Sequence, residues 1–320
     1  MKTVAISGCT GPIGTALIKK CIKEGIKVIA YVRPGSERRD LIPKHDLVKI
    51  SDYDLKDFAK MSRLSGMLKL PEVDAFYHLA WEGTAEDKWD DAETQTVNIQ
   101  YALDAVKLAH AMKARVFIGA GSQAEYGRVD DILRPDTPVN PENAFGAAKL
   151  CAGQLSRIMC AQFGIKHIWT RILSVYGPYD CKDTMIMSTV RRLLNGEKPA
   201  LTMGEQEWDY LYNEDAAEAL YLIGECNYSS EYTDADRGGK IYCLGSGKSY
   251  PLKEYINVLR DVINKDIEIG YGEVPYSDKE VMHLCADISK LTEDTGFKPQ
   301  MPFPKGIVLT VKYVKEAHLY

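Results

Sequence analysis

Three glycines near the start of the chain have the spacing of a phosphate-binding loop. The segment Gly8-Cys9-Thr10-Gly11-Pro12-Ile13-Gly14 follows a short β-branched run and precedes a helical pattern. In this context the first glycine permits a tight turn, the second lets the backbone approach a pyrophosphate, and the third allows close helix–strand packing. The helix N-terminus then presents N–H groups and a positive dipole end to the phosphates. We predict dinucleotide binding by Gly8, Thr10, Gly11, Pro12, Ile13 and Gly14.

The residues after the second predicted strand bear on the choice between NAD and NADP. That strand, 27–31, is followed by Arg33, Ser36, Arg38 and Arg39. A carboxylate at this point would accept hydrogen bonds from the adenosine ribose of NAD, whereas guanidinium groups suit the 2′-phosphate of NADP. The alternative interpretation is a solvated basic loop. We predict NADP as the cofactor, bound in part by Arg33, with NAD as the second choice.

The elements that must position these residues alternate between strands and helices. Short β-branched runs and longer helical patterns follow one another through the first 170 residues, which is typical of a parallel sheet covered on both faces. The predicted strands are 3–7, 27–31, 47–50, 75–78, 115–119 and 167–172, and the predicted helices are 13–24, 54–68, 93–112 and 143–163. We expect an α/β fold with a Rossmann-type doubly wound parallel sheet and ligands at the carboxyl ends of its strands.

The alternation changes after Tyr176, where Gly177-Pro178 interrupts it. A helix at 184–195, a strand at 241–244 and a helix at 252–263 are predicted beyond that point. We therefore expect a dinucleotide-binding Rossmann domain at 1–175 and a smaller mixed substrate-binding lobe at 176–320. Segments around 210–245 are expected to return to the first domain.

Composition excludes several classes of function. The 320 residues are 45% hydrophobic and 27% charged, and the net charge of −5 argues against nucleic acid as a partner. The eight cysteines form no CxxC pair and the histidines have no i, i+4 partner, so we predict no metal site. No run approaches the roughly 18 apolar residues of a membrane span, and the first residues indicate a strand rather than a signal peptide. We expect a cytoplasmic protein that does not bind membranes.

Further motifs follow the glycine loop in a fixed order across nearly the whole chain. They are His78-Leu79-Ala80, Asn98, Gly121-Ser122-Gln123-Ala124-Glu125-Tyr126-Gly127, Phe145-Gly146-Ala147-Ala148-Lys149, Arg171 to Pro178, Trp208-Asp209-Tyr210, and Asp287-Ile288-Ser289-Lys290. Together they resemble the extended short-chain dehydrogenase/reductase family, and more closely its nucleotide-sugar epimerases, dehydratases and 4-ketoreductases. The resemblance implies cofactor contacts at Leu79 and Ala80, and at Asp54 or Asp52 to the adenine amino group. It also implies a homodimer formed through helices 93–112 and 143–163.

In that family a Ser or Thr, a Tyr and a Lys four residues after the Tyr handle the proton during hydride transfer. Ser122 matches the hydroxyl position and Lys149 matches the lysine, but Phe145 stands at the tyrosine position. A phenyl ring has no proton to give. Three explanations stay open: a deliberate change that traps a substrate complex, a natural enzyme that uses another acid, or a protein that has kept only binding. Tyr126 and Glu125 are candidates for a substitute acid.

Other departures concern the substrate. The family's dehydratases carry an Asp-Glu pair directly after the hydroxyl residue, and Gln123-Ala124 here argues against 4,6-dehydration. Ser174 replaces the usual Asn, and Trp208 stands where an Arg commonly precedes Asp-Tyr, so the diphosphate needs other partners such as Arg191 or Arg192. Trp81 is placed to stack on a sugar or base, or to fill the core. The predicted substrate contacts are Trp81, Ser122, Gln123, Glu125, Ser174 and Arg191.

These observations lead to one expected function and two alternatives. We predict NADP(H)-dependent reduction of a nucleotide-linked 4-keto sugar, disabled in this chain by Phe145. The first alternative is a nucleotide-sugar epimerase that retains its NAD(P). The second is a non-catalytic dinucleotide-binding protein.

Overall fold

A seven-stranded parallel sheet forms the centre of the computed structural model, which describes residues 1–319. Its strands, in chain order, are β1 (Thr3–Ser7), β2 (Lys27–Val32), β3 (Val48–Asp52), β4 (Ala75–His78), β5 (Val116–Ser122), β6 (Lys166–Ile172) and, after four short strands, β11 (Lys240–Leu244). The order across the sheet is β11-β6-β5-β4-β1-β2-β3. The order reverses between β1 and β4, and a ligand crevice is expected beyond the carboxyl ends of these two strands.

Helices cover both faces of this sheet. The α-helices of the structure, in chain order, are α1 (Pro12–Lys23), α2 (Phe58–Arg63), α3 (Ser65–Leu68), α4 (Ala92–Ala111), α5 (Ala144–Phe163), α6 (Met185–Leu194), α7 (Asn213–Ser229), α8 (Leu252–Ile263), α9 (Ser289–Thr295) and α10 (Phe303–Glu316). One face packs against α1 and α7, and the other against α2, α4 and α5. Because both faces are covered, β1 and β4 are almost continuously apolar and buried.

The remaining strands are short and lie in the C-terminal lobe. They are β7 (Ser174–Tyr176), β8 (Ala200–Leu201), β9 (Glu207–Trp208), β10 (Tyr210–Tyr212), β12 (Tyr250–Pro251), β13 (Gly270–Tyr271) and β14 (His283–Leu284). They form a β10-β7 pair, a β12-β9-β14 sheet and a β13-β8 pair. Helices α6, α8 and α10 pack around a separate apolar core that contains Val190, Leu259 and Ile307.

The predicted fold class is confirmed, and the predicted strands of the first half match the structure to within a few residues. The predicted helix 54–68 is wrong as one element, because the chain bends at Leu64 and reaches a left-handed conformation at Lys69. Helices α7, α9 and α10 were not predicted. The placement of α7 against α1 and of β11 in the main sheet shows how residues after 210 contact the first half, while the domain boundary near 175 stays a prediction. Within residues 1–319, no helix combines the length and the apolar character needed to cross a membrane.

Candidate active site

The glycine loop between β1 and α1 is built for close backbone approach. Gly8 has φ +79°, and a side-chain carbon at this residue would lie 2.7 Å from the backbone nitrogen of Ala80. A side-chain carbon at Gly14 would lie 2.2 Å from the Gly8 carbonyl oxygen. These contacts bring the loop directly against Leu79 and Ala80, the other residues predicted to meet the cofactor.

The first turn of α1 is left free for an anion. Gly11 is the N-cap residue, Pro12 opens the helix, and no side chain caps this end. No acidic residue lies in the first turn. By contrast, Asp91, Asn143 and Thr184 cap α4, α5 and α6 with their side chains. The space beside Gly11 is open, since a side-chain carbon there would meet only the Gly8 carbonyl oxygen at 3.5 Å. Thr10 and Ile13 flank this turn and are half-buried.

Asn213, at the start of α7, is a residue that sequence reasoning missed. Its side-chain amide donates to the carbonyl oxygens of Pro12, at 3.3 Å, and Pro178, at 3.1 Å. It therefore ties the phosphate loop to the segment that enters the C-terminal lobe. Its position directly after the Tyr210-Leu211-Tyr212 strand was the only signal in the sequence, and that signal does not specify a partner.

Two of the three arginines in the loop after β2 already have partners within the protein. Arg38 donates to the carbonyl oxygen of Tyr179, and Arg39 pairs with the Asp52 carboxylate. Arg33 is exposed and forms no salt bridge within residues 1–319. Among the described residues, the Arg38 and Arg39 side chains have partners and the Arg33 guanidinium has none.

The two aspartates considered for adenine differ in their surroundings. Asp52 is engaged by Arg39. Asp54 opens a 3-10 turn at 55–57, where its backbone N–H donates to the Asp57 carboxylate at 3.0 Å. The Asp54 carboxylate accepts in return from the Asp57 backbone N–H, and its contact with adenine stays a prediction.

Ser122 and Lys149 meet at the carboxyl end of β5. Ser122 ends the strand, and its hydroxyl accepts a hydrogen bond from the Ala124 N–H at 3.1 Å. Lys149 reaches back from α5, and its Nζ donates to the Ala120 carbonyl oxygen at 2.6 Å. Gln123 is half-buried in the 3-10 turn that follows Ser122, and its contact with the substrate stays a prediction. The fold thus brings Ser122 and Lys149, which were predicted from their spacing in the sequence, to the same edge of the sheet.

Phe145 lies one helical turn before Lys149 within a group of aromatic rings. Its ring centroid is 5.6 Å from Lys149 Nζ. The ring stacks on Trp89 at 5.8 Å and meets Trp81 edge to face at 6.1 Å. Trp81 in turn lies over the ammonium, with its ring centroid 3.9 Å from Nζ, and its indole N–H donates to Gln95 at 2.8 Å. Trp81 is therefore part of the site rather than a distant core residue.

Burial changes the acid–base properties of this group. Lys149 is 4% exposed. Its burial lowers the pKa of the lysine to about 7, and the nearby Glu125 carboxylate acts in the opposite direction. His78, at the end of β4, is also buried, which lowers the pKa of its imidazole to about 3. His78 is therefore neutral at physiological pH, whereas Lys149 is poised between its two protonation states.

Glu125 does not occupy the position expected for a substrate contact or an acid. The segment after Ser122 is a 3-10 turn rather than a strand, and it turns the Glu125 carboxylate inward. One carboxylate oxygen accepts from the Ser122 N–H at 2.9 Å and the Trp169 indole at 2.8 Å. The other accepts from Arg171 at 2.8 Å. The expectation for Glu125 is corrected: the residue is half of an internal ion pair.

Tyr126 is likewise unsuited to replace the missing phenol. Its hydroxyl donates to the Arg134 carbonyl oxygen at 2.7 Å and lies 3.1 Å from the Cys243 sulfur. Burial raises the pKa of Tyr126 far above its ordinary value. The group is therefore a structural contact between β11 and the loop at 128–137.

Ser174 and Trp208, which differ from the residues usual in the family that the sequence resembles, are hydrogen-bonded to each other. The Trp208 indole N–H donates to the Ser174 hydroxyl at 2.8 Å, and both side chains are half-buried. Arg191 does not join them, because its guanidinium donates to the Leu319 carbonyl oxygen at 2.7 Å. A contact of Arg191 or Arg192 with the substrate diphosphate stays a prediction.

Comparisons with known proteins identify the family of this chain. A model of the NAD dependent epimerase/dehydratase family matches residues 4–234. The chain is 25% identical over 308 residues to CDP-abequose synthase of Salmonella muenchen, covering 96% of each chain. It is 23% identical to dTDP-4-dehydro-6-deoxyglucose reductase of Escherichia coli, covering 98% of this chain and 97% of that one.

A solved structure has the same fold over the whole length. The UDP-N-acetylglucosamine 4-epimerase from Methanobrevibacter ruminantium M1, in complex with UDP-N-acetylmuramic acid, superposes with a TM-score of 0.85 at 23% identity and covers 99% of each chain. The chain belongs to the NAD dependent epimerase/dehydratase family. Its relatives in this family are nucleotide-sugar epimerases, dehydratases and reductases.

Proposed function

We propose that this protein is an NADP(H)-dependent reductase of a nucleotide-linked 4-keto sugar. The observation that carries the proposal is the convergence of a free phosphate-binding helix end, Ser122 and Lys149 at one edge of the sheet. The two curated relatives named above act on sugars linked to CDP and dTDP, which supports this substrate class. Gln123-Ala124 in place of the dehydratase pair favours reduction over dehydration.

The residues of the first domain fit a dinucleotide. The tight contact of Gly8 with Ala80 leaves no room for side chains, while the space beside Gly11 is open at the uncapped end of α1. Gly11, Ile13 and Gly14 would hold the pyrophosphate through their backbone. Leu79 and Ala80 would line the path toward the nicotinamide, and Lys149 would hold its ribose. The bound nicotinamide would supply or accept the hydride.

The preference for NADP rests on Arg33, which yields a direct test. We expect Arg33→Ala to weaken NADPH binding about tenfold to a hundredfold, because one charge-assisted hydrogen bond to the 2′-phosphate is lost. NADH lacks this phosphate, so its dissociation constant should stay the same. Fluorescence titration of both cofactors measures the effect, with the exposed Arg63→Ala on α2 as the control. Equal losses of affinity for NADPH and NADH would contradict the assignment of Arg33 to the 2′-phosphate.

A homodimer is proposed through α4 and α5. These helices pack against each other, and they leave Val97, Leu155 and Ile158 between 38% and 45% exposed. Burial of such apolar side chains against a second copy of the chain is favourable. We expect the double variant Leu155→Glu/Ile158→Glu to be a monomer by light scattering at micromolar concentration, where the native chain is a dimer. Val308→Glu, at a position on α10 that is 51% exposed, is the control that should remain dimeric.

A 4-epimerase is the second candidate, because Ser122 and Lys149 serve either direction of hydride transfer. It differs from the reductase in retaining its nicotinamide and consuming no NADPH. Release of nicotinamide on denaturation of the freshly purified protein, together with interconversion of two 4-epimers, would favour this candidate.

A further inference from the structure

We propose that Lys149 itself donates the proton to the substrate carbonyl, in the role that the absent phenol at residue 145 would otherwise perform. This inference rests on the proposed reductase function. It assigns Lys149 a role in chemistry beyond holding the cofactor.

The first argument is elimination among the groups at the carboxyl end of β5. Phe145 has no exchangeable side-chain proton. The Glu125 carboxylate is bonded to Ser122, Trp169 and Arg171, and the Tyr126 hydroxyl is bonded to the Arg134 carbonyl oxygen. The serine hydroxyl is a poor acid without a partner that takes up its charge. Among the described residues at this edge, the Lys149 ammonium is the remaining proton source.

The second argument is the shape of the lysine environment. The Ala120 carbonyl oxygen takes one Nζ hydrogen at 2.6 Å, and the Trp81 ring covers another side at 3.9 Å. The centroid of the Phe145 ring lies farther away, at 5.6 Å from Nζ. Ser122 ends β5 two residues after Ala120, so a carbonyl oxygen bound at the Ser122 hydroxyl would lie at the same strand end as Nζ. The proposal requires that oxygen to be within reach of Nζ, directly or through one water.

The third argument concerns the charges around Lys149. His78 faces it from β4 and is neutral, and Glu125 faces it from the turn after β5 with its charge shared with Arg171. Helix α4 adds Gln95 and Asn98, which bond to Trp81 and to the backbone of Glu82. Both are uncharged amides. The Glu125 carboxylate favours the ammonium, but burial is the larger effect and lowers the pKa of Lys149 to about 7. A general acid with a pKa near the operating pH is the efficient kind.

The reaction balances with the groups named. The carbonyl carbon accepts a hydride from the reduced nicotinamide as the C=O π bond breaks, and the oxygen accepts the proton from Nζ. The products are the secondary alcohol, the oxidised nicotinamide and a neutral Lys149 amine. The amine recovers its proton from solvent before the next turnover.

The test combines a titration with a pH–rate profile on the full-length protein. Nζ of Lys149 is followed by NMR of lysine-labelled protein with and without NADPH, and its signal is assigned by its absence from Lys149→Arg. We expect a midpoint near 7 in the free protein. The kcat for reduction should be constant below the midpoint of the cofactor complex and fall about tenfold per pH unit above it, and the kcat for oxidation should rise with pH in mirror image.

Lys149→Arg separates proton donation from cofactor binding. Its guanidinium keeps the positive charge but gives up no proton near neutral pH. We expect NADPH affinity within about tenfold of the native protein and a kcat at least about a hundredfold lower, the usual range for loss of a general acid. A Nζ midpoint above 9, a rate profile that does not follow the midpoint, or a Lys149→Arg variant with native kcat would overturn the proposal.

Phe145→Tyr distinguishes failure of the Lys149 proposal from failure of the proposed reductase function. If the native chain is inert and Phe145→Tyr turns over, Lys149 is not the acid and the reductase function stands. If both bind NADPH and neither consumes it with any 4-keto sugar, the reductase function falls and this inference falls with it.

Discussion

Phe145→Tyr is expected to raise kcat for carbonyl reduction by up to about a hundredfold, the lower end of the range that a positioned general acid contributes, because Lys149 already supplies a proton in the native chain. Tyrosine adds one oxygen to a ring that already lies beside Lys149, at 5.6 Å from Nζ. The adjacent ammonium would stabilise the phenolate and so lower the pKa of the new hydroxyl. The gain should appear in kcat rather than in the dissociation constant of NADPH.

The matched control for this gain is Phe163→Tyr. Phe163 ends the same helix, where its ring stacks on His110 at 4.2 Å, remote in sequence from the site. It should leave kcat unchanged. A Phe145→Tyr variant whose kcat stays within threefold of the native value would show that residue 145 does not handle the proton.

Glu125→Gln is expected to lower the free energy of unfolding by about 3–5 kcal/mol, because it leaves a buried arginine without its counter-ion. The side chains of Arg171 and Glu125 are only 4% and 1% exposed. The carboxylate also accepts from the Trp169 indole and the Ser122 N–H, so two further donors lose part of their partner. The loss should be seen as a lower urea midpoint with an unchanged slope.

The control for Glu125→Gln is the exposed pair of Arg128 and Glu142. Their side chains are 44% and 33% exposed and lie 2.7 Å apart. Glu142→Gln should cost no more than about 1 kcal/mol, since exposed pairs are screened by solvent. Equal losses in the two variants would mean that the Glu125–Arg171 pair contributes no more than a surface contact.

The sequence predicted the parts of the site that depend on local spacing. The glycine loop and the pair of Ser122 and Lys149 follow from short motifs, and parallel strands carry such motifs to one edge of the sheet. Glu125 was misplaced because its partners, Trp169 and Arg171, lie on a strand more than 40 residues later. A carboxylate in a motif gives no indication of a partner that only the fold supplies.

The same limit explains the other differences. The Trp208–Ser174 hydrogen bond and the Asn213 contacts join residues on separate elements, so no spacing indicates them. Arg38 and Arg39 looked equivalent to Arg33, yet the fold gives them the Tyr179 carbonyl and the Asp52 carboxylate. Helix α7 was missed because its buried residues include Asn213, Asp215, Gly224 and Asn227, so no clear apolar stripe marks it in the sequence.

NADPH oxidation with CDP-, dTDP- and UDP-linked 4-keto-6-deoxyhexoses is the most direct test of the proposed reductase. The native chain and Phe145→Tyr should be assayed side by side, with the sugar product analysed at carbon 4. We predict that one NADPH is consumed for each alcohol formed, and that the rate is higher in Phe145→Tyr. If both proteins bind NADPH but leave every 4-keto sugar unreduced, or exchange 4-epimers without consuming NADPH, the protein is not a reductase.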